Sequence, residues 1–279
     1  MEIIKTISGM RRKRQALDET VGFVPTMGYL HEGHLSLVKR ARNENANVVV
    51  SIFVNPTQFG PSEDLKSYPR DTERDLTILE PYTDIVFMPE ADEMYQDKFD
   101  TWVEVGSITD KLEGASRPTH FKGVTTIVTK LFNIVQPTKA YFGQKDAQQL
   151  LVIKKMVLEL NINLEIVTCP TEREPDGLAM SSRNTYLSPE QRKASTVLSK
   201  SLELAKELWS QGERNGDKIR KRLAEFIRTE PLADIDYVSV ADTETLEEID
   251  IIMNTALVSM AVKFGKTRLI DNIILENSN

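Results

Sequence analysis

Apolar positions along this chain follow one pattern up to about residue 170 and another beyond 177. Short β-branched or apolar runs at 20–24, 47–54, 84–88, 139–142 and 164–168 predict strands, with 101–105 as a sixth candidate. Between them apolar residues return at helical spacing: Leu35, Val38 and Ala41; Leu76 and Leu79; Val124, Ile127, Val128, Leu131, Ile134 and Val135; Leu150, Ile153, Val157 and Leu160. Strands that alternate with helices pair in parallel, because each crossover lays a helix on one face of the sheet. The pattern therefore predicts an α/β fold built on a Rossmann-like, doubly wound parallel sheet.

After 177 a helix is expected over 188–211, with Ser188 capping its first turn, Pro189 next and Gln191 three residues on. A second helix follows at 217–229. Two-residue alternation at 235–240, 256–263 and 267–273 predicts a small antiparallel sheet, turning at Phe264-Gly265-Lys266. With no repeat or low-complexity linker, the division expected is 1–174 for the Rossmann-like domain and 175–279 for a smaller C-terminal α+β domain.

Composition narrows the function. The 42 acidic residues exceed the 35 basic ones, giving net charge −7, so no overall field draws in phosphate polymers and no nucleic-acid partner is expected. No apolar run approaches the roughly 20 residues of a membrane span, so no membrane partner is expected either. The N-terminus places its basic cluster after a short apolar stretch, the reverse of a signal peptide. Cys169, the single cysteine, can form neither an internal disulfide nor a two-cysteine zinc site and reads as a small buried apolar residue. A cytoplasmic protein is expected.

The densest motif is Pro25-Thr26-Met27-Gly28-Tyr29-Leu30-His31-Glu32-Gly33-His34, between the first of these strands and the helix that follows it. A loop at that position opens onto a helix N-terminus, where backbone N–H groups and the dipole favour phosphate. Gly28 and Gly33 permit close backbone approach, and His31 and His34 can face one side and donate to phosphate oxygens. Two of the chain's three histidines lie here, which weighs against a chance surface turn, and zinc lacks an obvious third ligand. Leu178-Ala179-Met180-Ser181-Ser182-Arg183 offers hydroxyls and a guanidinium after the Asp176-Gly177 turn, suited to a mobile loop that wraps a triphosphate. Phe142-Gly143-Gln144-Lys145-Asp146 leaves another strand with a point charge for phosphate, although Lys-Asp beside a turn is also common as a solvated pair. Asn55-Pro56-Thr57-Gln58 leaves the 47–54 strand and presents a neutral amide able to bind a carboxylate or hydroxyl.

His-x-Gly-His, together with a segment similar to Lys-Met-Ser-Lys-Ser, resembles the nucleotidyltransferase superfamily. More specifically, Pro25 to Gly28 with His31 to His34, Asn55-Pro56 with Gln58-Phe59-Gly60, Tyr68-Pro69-Arg70, Glu113-Gly114 with Arg117-Pro118 and His120-Phe121, Gly143 with Lys145-Asp146 and Gln148-Gln149, and Ser181 to Asn184 resemble the pantothenate synthetase family along essentially the whole chain. The resemblance implies an ATP-dependent ligase that condenses pantoate with β-alanine through a pantoyl adenylate, releasing pyrophosphate and then AMP. It implies a homodimer, an ATP- and pantoate-binding first domain and a C-terminal lid. ATP is implied as a substrate with Mg²⁺; protein ligands to the metal stay unassigned.

Carried over by position, ATP contacts fall on Met27, Gly28, Tyr29, Leu30, His31, Glu32, Gly33, His34, Gly143, Gln144, Lys145, Asp146, the Glu172 backbone, Met180, Ser181, Ser182 and Arg183. Pantoate falls to Gln58 and Gln149, and β-alanine shares Gln58. His34, as proton donor, with His31, Lys145 and Arg183 form the implied catalytic set. Three positions depart from the family pattern: Thr119 for a frequent glycine, Arg74 before Asp75 where an acidic pair is common, and Glu172 at a usually apolar site. The residues alone also admit a small adenylyltransferase acting on a phosphate-bearing acceptor, or a silent nucleotide-binding module.

Overall fold

Val48, Val49 and Val50 form an unbroken apolar run with no solvent exposure, which is what a strand covered on both faces requires. In the computed structural model, which describes residues 1–60, 63 and 65–277, this run belongs to a six-stranded parallel sheet. The chain order is β1 (Glu2–Ile4), α1 (Ile7–Gln15), β2 (Val21–Thr26), α2 (Glu32–Glu44), β3 (Asn47–Ile52), α3 (Thr72–Leu79), β4 (Ile85–Phe87), α4 (Ala91–Met94), α5 (Glu113–Ser116), α6 (His120–Val135), β5 (Lys139–Gly143), α7 (Ala147–Glu159) and β6 (Glu165–Cys169). Strand order across the sheet is β1-β4-β3-β2-β5-β6, all neighbours parallel.

Alternate residues feed opposite faces. Phe23, Val49, Phe87 and Phe142 pack with the apolar sides of α6 and α7; Val24, Val48, Val50, Val86 and Tyr141 pack with Leu35, Val38 and Ala41 of α2 and Leu79 of α3. Full burial of each such side chain stabilises by about 1.5–3 kcal/mol. Cys169 sits in the second of these cores, and burial pushes its thiol up from the usual range.

Five expected strands are present, but 101–105 is not one. It runs extended beside α6, where Val103 N–H donates to Thr126 Oγ1 (3.0 Å) and the Thr125 hydroxyl donates to the Val103 carbonyl (2.6 Å). Threonine side chains have taken the partners that a neighbouring strand would supply. The sixth strand is instead β1, whose three residues are too few to display a period.

The contacts divide the chain into two compact units, 1–144 with 148–170, and 145–147 with 171–279. In the second, α8 (Pro189–Ala194), α9 (Val197–Ser210) and α10 (Gly216–Ile227) pack on the antiparallel strands β7 (Ala233–Ala241), β8 (Thr255–Phe264) and β9 (Thr267–Glu276). The expected Ser188–Gln191 capping box forms. The single helix expected over 188–211 breaks into two, because the Ser195 and Thr196 hydroxyls donate back to the Arg192 and Lys193 carbonyls. Gly265, at φ +62°, makes the tight turn between β8 and β9.

Candidate active site

The strand order reverses between β2 and β5, the crevice where open α/β sheets receive ligands. Two motifs leave the carboxyl ends of these adjacent strands: the loop from Met27 to His34 follows β2, and Gly143-Gln144 follows β5. Gln58 lies in a short 3-10 turn (Pro56–Gln58) after β3, at the same edge.

The loop after β2 is shaped from inside. Gly28 (φ +80°) and Tyr29 (φ 51°) lie in the left-handed region. A Cβ at Gly28 would stand 3.0 Å from Ile52 Cγ2 and 3.1 Å from Asp75 Oδ2, so glycine is needed for conformation and space together. Asp75, almost fully buried on α3, accepts Tyr29 N–H and Leu30 N–H on its two oxygens, both at 2.7 Å. Burial pushes its carboxyl up, while the two backbone donors and Arg74 pull it down, with a net rise. His31 caps α2, its Nδ1 accepting Gly33 N–H at 3.1 Å; His34 Nδ1 accepts His31 N–H at 3.3 Å. Each ring turns Nδ1 onto a backbone N–H, which leaves Nε2 as the ring nitrogen not used by these two bonds.

Most backbone N–H groups of this loop, expected to be unpaired, are engaged within the protein. N–H groups of Gly28, Tyr29, Leu30, His31, Gly33 and His34 all have partners within the protein. The two imidazoles add side-chain nitrogens to the same loop.

Gln58 is buried and its amide is oriented on both ends. Its Oε1 accepts Asn55 Nδ2 at 3.1 Å and its Nε2 approaches Met27 Sδ at 3.1 Å. Asn55 is held in turn, donating to the Gly123 carbonyl and accepting the Tyr95 hydroxyl at 2.7 Å. A Cβ at Gly123 would come within 2.4 Å of the Thr57 carbonyl, so α6 lies directly on this turn. The Gln58 carbonyl receives His120 Nδ1–H at 2.9 Å and Arg117 Nη2 at 3.3 Å, and Arg117 forms a two-pronged pair with Glu63. Burial, then the Arg117 charge, push His120 down to about 4, so it stays a neutral brace. Thr119 lies in the right-handed region (φ −98°), and no glycine is required there.

The paired glutamines of the sequence divide their labour. Gln148 is buried and stitches α7 to residues 108–113, accepting Glu113 N–H and donating to the Ile108 and Lys111 carbonyls. Gln149 is half-exposed on the same first turn.

In the second unit, Lys145 Nζ stands 3.8 Å from Asp146 Oδ1, a loose pair, while the Lys145 carbonyl accepts Asn272 Nδ2 at 2.7 Å. The segment from Glu172 folds back on itself: the Glu172 carbonyl accepts Met180 N–H at 2.9 Å, and Arg173 bridges Ala179. Ser181 caps the 3-10 turn Ser182–Tyr186, accepting Arg183 N–H. The segment is not the free loop that its composition suggests. Arg192 pairs with Glu174 and Asp176, Asn184 donates to Glu174, and Arg173 makes a two-pronged pair with Asp271, whose side chain has no exposure.

Asp75 and Asp271, the buried anchors of these segments, were not singled out as functional from sequence. Each leaves a faint mark, a charge on an apolar face: Asp75 stands one helical turn before Leu79, and Asp271 alternates with Thr267 and Leu269 on the inward side of β9.

The chain is thus an α/β protein with a His-x-Gly-His loop at the switch point of a doubly wound parallel sheet. The family model "Pantoate-beta-alanine ligase" matches residues 2–274, and the chain belongs to that family. Pantothenate synthetase from Roseiflexus sp. (strain RS-1) is 59% identical over 277 residues, covering 99% of this chain and 100% of the relative. That from Acetivibrio thermocellus is 60% identical over 280 residues, covering 99% and 100%. Among solved structures, pantothenate synthetase from Thermus thermophilus superposes with TM-score 0.94 at 48% identity, over 98% of this chain and 99% of that one. The pantoate-β-alanine ligase from Francisella tularensis, complexed with β,γ ATP and β-alanine, gives TM-score 0.81 at 35% identity, over 98% and 97%.

Proposed function

We infer that this chain is an AMP-forming ligase that joins pantoate to β-alanine at the expense of ATP, through a pantoyl adenylate. The observation that carries this reading is the 3.1 Å approach of Gln58 Nε2 to Met27 Sδ. It sets the amide proposed for the acid against the loop proposed for the nucleotide, the adjacency that attack of a carboxylate on an α-phosphorus needs.

In the first half-reaction a pantoate carboxylate oxygen bonds to the α-phosphorus as the bond to pyrophosphate breaks. A carboxylate is already a nucleophile, so what is required is position and stabilisation of charge on the leaving group. Nε2–H of His31 and His34 are the donors proposed in the first unit; Lys145, Ser182 and Arg183 are those proposed in the second. As donors, the histidines stabilise charge by hydrogen bonding. The remaining nucleotide contacts are proposed at Met27 to Gly33, Gly143, Gln144, Asp146, Glu172, Met180 and Ser181. Since the Glu172 carbonyl is engaged by Met180, its own N–H is the group proposed for the nucleotide. Pantoate is assigned to Gln58 and Gln149, and β-alanine to Gln58.

In the second half-reaction the β-alanine amine attacks the acyl carbon as a free base, AMP departs with the acyl–oxygen electron pair, and the amine loses its proton. Among the described residues no group of three His, Cys, Asp or Glu is placed to hold a metal ion. Magnesium is proposed to enter with the substrate, carried on the phosphates of ATP. A homodimer is proposed as the assembly, to be checked by light scattering. No described helix is long and apolar enough to cross a membrane.

A single-turnover assay tests the stepwise scheme. ATP and pantoate alone should release one equivalent of pyrophosphate, and later β-alanine should release AMP with amide formation. Pyrophosphate that appears only once β-alanine is added overturns it.

A further inference from the structure

We propose that Arg74 and Asp75, at the start of α3, form a clamp that fixes the 27–30 loop and thereby sets the positions of His31 and His34 for adenylation. They are positioning residues: neither belongs to the motif and neither is assigned a substrate. The inference rests on the ligase reading above and adds to it the device that shapes its nucleotide loop.

The geometry is specific. Asp75 lies 45 and 46 positions from its partners in sequence, yet its two oxygens take the N–H groups of Leu30 and Tyr29 at 2.7 Å each. Arg74 Nη1 donates to the Leu30 carbonyl at 2.9 Å, and its guanidinium lies 5.9 Å from the centre of the Tyr29 ring. Leu30 is thus held by its N–H and its carbonyl through adjacent residues of one helix. The held residues need holding. Tyr29 sits at φ 51°, which a side-chain-bearing residue adopts only when its surroundings over-determine it. One residue after Leu30 comes His31, whose backbone is the cap of α2 and the donor to His34. A loop that relaxed at Tyr29 would therefore displace both imidazoles together.

The carboxylate also does at this loop what a phosphate does at a glycine-rich loop: it occupies the N–H groups with negative charge. The N–H groups of Tyr29 and Leu30 are thereby taken, and Arg74 supplies the adjacent positive charge. Arg74, a departure from the family's acidic pair, thus acquires a role in this chain.

The test separates the two half-reactions, because only adenylation needs the triphosphate donors. In D75N one oxygen becomes an NH₂ that faces a backbone N–H, donor against donor. Pyrophosphate release from saturating ATP and pantoate should slow about 100-fold, the cost of a misplacement near 1 Å. Aminolysis of pantoyl adenylate supplied directly with β-alanine should stay within about threefold of the parent, since a phosphate-side displacement does not alter acyl transfer. R74A should slow adenylation roughly fivefold to tenfold with the same selectivity, and R74K, which keeps a donor for the Leu30 carbonyl, should recover most of it. Should D75N fail to fold, R74A and R74K decide alone. The clamp is overturned if R74A adenylates at the parental rate, if R74K is as slow as R74A, or if both half-reactions fall by the same factor. A parent that releases no pyrophosphate from ATP and pantoate would overturn the ligase reading itself, a separate result.

Discussion

The loop of residues 27–34 and the segment 171–184 both carry phosphate-type motifs, but they are held in different ways. The first is closed by hydrogen bonds among its own backbone and imidazoles, with one buried carboxylate as anchor. The second is tied by ion pairs from α8 and β9: Arg192 to Glu174 and Asp176, Arg173 to Asp271. Hydrogen bonds inside a tight loop fix direction closely. Charged side chains on long stems fix position and tolerate more movement. The first arrangement suits donors that must be aimed, and the second suits a segment whose charge matters more than its angle.

The largest expected effect bears on the aimed donors. H34A and K145A should each slow adenylation by about 10²–10³, the cost of one preorganised donor to developing charge, with thermal stability changed by no more than about 1 kcal/mol. Their double variant should lose less than the product of the single effects, as groups acting on one triphosphate do. Adenylation at the parental rate in H34A removes the central assignment, whatever K145A does.

Next is the buried pair. R173A leaves Asp271 charged and unexposed, with Asn272 N–H as its remaining partner among the described residues, which should cost the second unit about 3 kcal/mol. Calorimetry should show this loss, and an R173M/D271L double variant should recover much of it. Equal stability of R173A and parent would mean that the second segment does not depend on the Arg173–Asp271 pair.

A smaller effect separates the two glutamines. Q149A removes a half-exposed amide and should raise the pantoate KM roughly tenfold, with ATP use nearly unchanged. Q58A also strips Asn55 and Met27 of a partner, so it should depress pantoate use further and disturb ATP use as well. Identical profiles would erase the distinction between a built-in and an open amide.

The smallest effect is at the surface. Hydrogen bonds from Arg40, first, then Lys139 hold the Glu44 carboxyl down, from 4.5 to about 2. A depressed carboxyl stabilises the fold above its unfolded value and loses that contribution as pH falls from about 4.5 towards 2. At this exposed site the contribution is at most ~1 kcal/mol. E44Q should therefore melt slightly below the parent at pH 7 and level with it near pH 2.

Local chemistry accounts for what could be read from the chain. Runs such as Val48 to Val50 stay buried in any parallel sheet, Ser188 caps because its hydroxyl meets N–H groups three residues on, and His-x-Gly-His marks a strand exit because its parts are neighbours in sequence. Differences have two causes: a partner elsewhere in the fold, or a side chain that competes with its own helix. Residues 101–105 had the composition of a strand, but Thr125 and Thr126 of α6 took their hydrogen bonds. The 188–211 pattern was helical throughout, and two hydroxyls in its middle broke it.

The sequence by itself determined the family, from motifs in order along the chain, and the parallel sheet, the small antiparallel sheet and the residue types proposed to meet ATP and pantoate, because each motif and period is local. Only the tertiary structure decided which donors are available. It showed the N–H groups of Gly28 to His31, Gly33 and His34 to be engaged, and both imidazoles to turn Nδ1 onto the backbone. It also showed Gln148 to be a stitch beside a half-exposed Gln149. Hydrogen-bond satisfaction depends on which groups meet across the fold. Asp75 meets Leu30 across a separation of 45 positions, and Asp271 meets Arg173 across 98, so neither contact exists until the chain between has folded.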